Sequence, residues 1–217
     1  MDFLNSQQLT YQDGYLHVFR EPGDYEYRIL FLPPGFEGSE SERTYVIHVS
    51  ENGSSAGQGK QQDVVLRWDA NLHRYQPDSE SVTVSMHDFV LWRVETSTPA
   101  APPYSIRGES SSGAGFDSRA LRQHDVFTHL FMLPGEYRYM VNGRVEGVVT
   151  VRDHRSLSYE SHTEHASKAP LVHIVDGRPN PDSLEIFAGQ TVVWFVEEGE
   201  RVTIATTSQS SKGIRHS

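Results

Sequence analysis

Apolar and polar residues alternate in short runs along nearly the whole chain, the two-residue period of half-buried β-strands. The runs Tyr15–Phe19 and Tyr25–Phe31 come first, then Tyr45–Val49, where Tyr45, Ile47 and Val49 share one face. Val64–Trp68, Val82–Met86 and Phe89–Glu95 follow, and Val126–Met132, Tyr137–Val141 and Gly147–Val151 continue the series. Leu184–Ile186 and Thr191–Trp194 close it. No stretch keeps helical periodicity over three turns, so the pattern predicts an all-β protein.

One stretch of this pattern occurs twice. His17-Val18-Phe19-Arg20-Glu21-Pro22-Gly23-Asp24-Tyr25-Glu26-Tyr27 returns 112 residues later as His129-Leu130-Phe131-Met132-Leu133-Pro134-Gly135-Glu136-Tyr137-Arg138-Tyr139. So long a period points to duplicated domains rather than a short solenoid repeat. A second, looser duplication relates Pro77-Asp78-Ser79 and the runs ending at Trp92 to Pro181-Asp182-Ser183 and the runs ending at Trp194. The layout expected is therefore a back half in residues 1–50, a complete unit in 62–152 and a front half in 170–217. The Gly/Ser/Gln-rich 51–61 and the polar 153–169 read as linkers.

An isolated half would expose unpaired strand edges. The two outer halves are accordingly expected to complement each other, within one chain or by exchange between chains into a homo-oligomer or filament. A chain cut from a longer multi-domain protein is the other account of the two halves.

Composition narrows the function more than the fold. The net charge of −10 argues against nucleic acid and anionic membrane as partners. The absence of cysteine removes disulfides, thiolate metal sites and cysteine nucleophiles. No apolar run of membrane-spanning length occurs, so no membrane insertion is expected. A soluble protein results, either cytoplasmic or exported with a leader removed.

The middle unit resembles a cupredoxin, the Greek-key β-sandwich of plastocyanin-like proteins. The likeness rests on the strand ending in Trp92, on Phe116-Asp117-Ser118 and on Phe127-Thr128-His129-Leu130-Phe131. Pro134-Gly135-Glu136-Tyr137-Arg138-Tyr139 and Gly147-Val148-Val149-Thr150-Val151 complete it. The resemblance implies a cupredoxin-like sandwich in the middle unit, and each flanking half matches its own portion of that fold. It also implies where a type 1 copper site would stand, and those positions are substituted. The thiolate position falls at Val141 and the following His at Gly143 or Arg144. The first His position falls near Pro103-Tyr104-Ser105-Ile106, and the matching stretch of the last segment reads Glu200-Arg201-Val202-Thr203. Two His and one Cys are needed for that chemistry, so no copper cofactor is expected.

Eleven His still invite a metal reading. His124 and His129 fall on opposite faces of a straight strand. His17 and His129 recur at one motif position beside Phe19 and Phe131, which reads as a half-buried structural role. His162 and His165 with Glu164 have the better ligand spacing, in a polar linker that fixes no geometry; they carry the alternative of a Cu- or Zn-handling protein. Asp117-Ser118 with His124 or His129 lacks a nucleophile elbow, and no phosphate-binding loop or paired acid and base occurs, so an enzyme is not expected. Two loops remain as partner-binding candidates. Leu32, Pro33, Pro34 and Phe36 form a Pro-stiffened apolar tip that either docks a partner protein or folds back on the sandwich. Pro102, Pro103 and Tyr104 occupy the end where the family holds its metal. The expected function is a non-catalytic structural or assembly protein.

Overall fold

The computed structural model describes residues 4–31, 39–40, 43–51, 59–95, 101–153, 169–198 and 201–206. Its strands are β1 (Asp13–Val18), β2 (Gly23–Phe31), β3 (Ser39–Glu40), β4 (Tyr45–Ser50), β5 (Gln61–Asp69) and β6 (Arg74–Pro77). Then come β7 (Ser81–Ser85), β8 (Phe89–Val94), β9 (Tyr104–Ser110), β10 (Gly115–Asp117), β11 (Val126–Phe131) and β12 (Gly135–Val141). The last are β13 (Arg144–Arg152), β14 (Leu171–Val175), β15 (Arg178–Asn180), β16 (Ser183–Phe187), β17 (Gln190–Val196) and β18 (Ile204–Thr206). The all-β expectation holds among the described residues.

Strand pairing divides the molecule into two β-sandwiches. In the first, the row β6-β5-β8-β1 faces the row β10-β9-β2-β4-β7. In the second, β15-β14-β17-β11 faces β18-β12-β13-β16. Corresponding pairs share direction: β4–β7 and β13–β16 are both parallel, as are β5–β8 and β14–β17. Each core is built around one Trp. Tyr27 of β2 meets Trp92 of β8 with ring centroids 5.6 Å apart, and Tyr139 of β12 meets Trp194 of β17 at the same 5.6 Å. Both Trp side chains are fully buried, so each joins its two sheets by apolar contact.

The partition differs from the one expected. Residues 13–50 find their complement in residues 61–117, through β1–β8, β2–β9 and β4–β7. Residues 126–152 find theirs in residues 171–206, through β11–β17, β12–β18 and β13–β16. Residues 61–117 and 126–152 thus pair into different sandwiches, and residues 13–50 and 171–206 do not complete each other. The reason is physical. Duplicated motifs specify which faces fit together but not which copy supplies each face, and the nearer copy closes the shorter loop.

The sandwiches are fused along β1 and β11, which pair antiparallel from Asp13↔His129 to Leu16↔Val126. That pairing merges two four-stranded rows into one eight-stranded sheet. Residues 4–6 and 204–206 meet at one edge. Asn5 bridges Ala205, the Ser6 amide donates to the Ile204 carbonyl at 2.8 Å, and the Thr206 amide donates to the Leu4 carbonyl at 2.9 Å. Residues 4–6 therefore flank β18 as β10 flanks β9. Each of these segments runs directly into a strand of the opposite sandwich.

Candidate functional site

The seam between β1 and β11 carries the most organised chemistry. Asp13, Tyr15, His17 and Phe19 stand on β1 and its exit as Asp125, Phe127, His129 and Phe131 stand on β11 and its entry. Because the two strands run antiparallel in this register, each Asp reaches the His of the other copy. His129 Nδ1 lies 2.6 Å from Asp13 Oδ1, and His17 Nδ1 lies 2.6 Å from Asp125 Oδ1. A carboxylate accepts only, so each imidazole donates through Nδ1–H.

The second carboxylate oxygens are also engaged. Asp13 Oδ2 accepts from the Thr10 amide at 2.7 Å and its hydroxyl at 2.8 Å; Asp125 Oδ2 accepts from the Arg122 amide at 2.8 Å. His17 stacks on Phe116 with centroids 4.9 Å apart, and His129 meets the edge of Phe131 at 4.7 Å. Burial, reinforced by Asp125, pushes the Tyr15 phenol well above its usual range, and burial with Asp13 does the same to Tyr104. The half-buried role expected for the repeated histidines fits His17, whose side chain is 16% exposed, while His129 is fully enclosed. The His129 Nε2 finds no hydrogen-bond partner among the described residues. The His129 ring is too enclosed to meet a substrate proton, and both dyads join β1 to β11 across the seam.

Of the positions that the sequence resemblance singled out, Val141 is buried, whereas Gly143, Arg144 and Arg201 are exposed. Val141 of β12 and its counterpart Ile29 of β2 are each 1% exposed. Tyr104 is buried in the core with its amide donating to the Leu9 carbonyl, so it cannot present itself to a partner. Pro102 and Pro103 are half-buried, and the Pro102 carbonyl accepts the Tyr75 hydroxyl. Leu32, Pro33, Pro34 and Phe36, and likewise His162, Glu164 and His165, lie outside the described residues. Among the described residues no group of three His, Asp or Glu converges as a metal site.

A second feature escaped the sequence reading. Arg107, Arg119, Arg122 and Arg201 line one cleft of about 280 Å³ together with Glu109 and Asp117. An adjoining hollow on the outer face of β2 and β9 shares Arg107 and Glu109 and adds Glu26 and Arg28. Arg119 grips Asp117 with Nε 2.9 Å and Nη2 2.7 Å from the two carboxylate oxygens, and Arg122 Nη1 donates to the Gly115 carbonyl at 2.9 Å. The clustering of Arg107, Arg119 and Arg122 along the chain was the available signal; the contribution of Arg201 depends on the fold.

No protein-family model, no curated protein and no solved structure matches the chain.

Proposed function

We propose that this is a non-catalytic, copper-free protein of two cupredoxin-like Greek-key sandwiches, serving as a rigid structural module that binds a partner protein. The observation carrying this reading is the filling of both thiolate positions, Ile29 and Val141, by core aliphatic side chains. The repeated strand order of the two sandwiches supports the cupredoxin likeness, each unit being read from its back half to its front half. Exchange of half units between copies is not needed for completion, because every half meets its complement in the same chain. The recognition surface then belongs to loops and sheet faces.

Two measurements test this. Calorimetric titration with Cu(II) and Zn(II) is expected to show no stoichiometric site tighter than about micromolar. A tight site abolished by His162→Ala and His165→Ala would instead establish the metal-handling reading. Solution mass is expected to equal one chain of 24.5 kDa; a fixed oligomer would show that assembly between copies is the function.

A further inference from the structure

The cleft at Arg107 gathers positive charge on a chain whose net charge is −10. We propose that it binds a small oxyanion carrying two or more negative charges, a phosphorylated or sulfated compound of low molecular mass. Four guanidinium groups line the cleft against two carboxylates, and one of those, Asp117, is already neutralised by its two-pronged bond to Arg119. That bond also holds Arg119 in a set orientation, as the Gly115 carbonyl holds Arg122.

Arg107 and Arg201 differ from these two. Both are exposed, and neither side chain makes an ion pair or hydrogen bond among the described residues. Arg107 moreover stands directly opposite Arg28 in the antiparallel register of β2 and β9. Arg28 lines the adjoining hollow together with Glu26 and Glu109, so the charge that the cleft itself offers an anion rests on Arg107, Arg122 and Arg201. Planar guanidinium forks match phosphate and sulfate oxygens in pairs.

Two further points set the class of ligand. Arg107 belongs to the first sandwich and Arg201 to the segment leading into β18 of the second, so the ligand contacts both. Gly113 and Gly115 line the cleft without side chains, and a Cβ at Gly113 would meet nothing within 4 Å, while one at Gly115 would stand 2.9 Å from the Gly108 carbonyl oxygen. The small volume and the acidic remainder of the surface favour a compact anion over a polyanionic chain, which the wider field repels.

Calorimetry on the full chain at low salt, with pyrophosphate as titrant, decides the matter. One pyrophosphate per chain is expected, with affinity falling about tenfold or more in Arg107→Gln and in Arg201→Gln. Arg178→Gln, at an exposed arginine outside the cleft lining, is expected to bind as the wild type does, and equal melting temperatures will establish that each variant is folded. Arg107→Lys keeps the charge without the fork and is expected to fall between. Competition by sulfate as strong as by inorganic phosphate would indicate a sulfated ligand, and weaker competition a phosphorylated one. Absence of saturable heat at millimolar pyrophosphate, wild-type affinity in both folded cleft variants, or equal weakening by Arg178→Gln would each overturn the site.

Discussion

Asp13 and His129 are 116 positions apart in the chain and 2.6 Å apart in the fold. Both side chains are fully buried, so removing Asp13 leaves the His129 imidazole without a hydrogen-bond partner, whereas Asp13 would still be held by Thr10. Asp13→Ala is expected to cost about 3 kcal/mol of stability. Asp125→Ala is expected to cost less, because His17 keeps 16% of its side chain exposed and can turn to solvent. Urea unfolding of the two variants checks the order, and the double variant Asp13→Ala/His129→Phe should recover part of the loss if the penalty is the orphaned imidazole. Neither aspartate stood out in the sequence. The recurrence of His17 as His129 was legible, but an identical interval also separates Asp13 from Asp125 and Ser6 from Ser118. Short polar residues repeat at random too often for that to be read without the register that joins them.

Among the elements, the β1–β11 pairing is short and depends on close approach. A Cβ on Gly14 would stand 2.6 Å from Thr128 Oγ1 and 3.1 Å from Leu91 Cδ1. Gly14→Val should therefore destabilise the protein by about 1–3 kcal/mol, since the crowding lies where two sandwiches meet. Thr128→Ala in the same chain should restore part of that loss, as its hydroxyl is the nearest obstacle; a Gly14→Val variant as stable as wild type would mean the seam is loose. A similar constraint acts at Gly147, where a Cβ would come within 2.2 Å of the Tyr139 ring. The strands themselves were legible from alternation, because a half-buried strand writes its two faces into neighbouring positions. The pairing of β1 with β11 was not, because nothing in the alternation of one strand names its neighbour.

For the whole molecule, the shared sheet predicts that the two sandwiches unfold as one. A single transition is expected, with calorimetric and van't Hoff enthalpies equal; two resolved transitions would show the seam to be weak. Alkaline conditions probe the same coupling. Burial is the first cause raising the phenols of Tyr15, Tyr27, Tyr75, Tyr104 and Tyr139, and that of Tyr139 is pushed up to about 12. A folded pKa above the unfolded value of about 10 means that the neutral phenol favours the fold. That stabilisation is complete below about pH 10 and is lost as pH rises through 12. Tyrosinate absorbance is therefore expected to rise in two stages, the second coinciding with loss of the sheet signal in circular dichroism. A single smooth titration near pH 10 with the sheet intact would contradict the buried positions.

From its residues alone the chain determined that it is all-β, that its motifs recur, and that it offers no thiolate. Those properties are local: a strand face, a repeated motif and a missing thiolate are each visible in a short window of sequence. Tertiary structure decided which copies complete one another, that aspartates cross the seam to the opposite histidines, and that Arg201 joins Arg107 across two sandwiches. Equivalent copies offer nearly equivalent surfaces, so the choice among them rests on connection length and strand register, which exist only once the chain is folded.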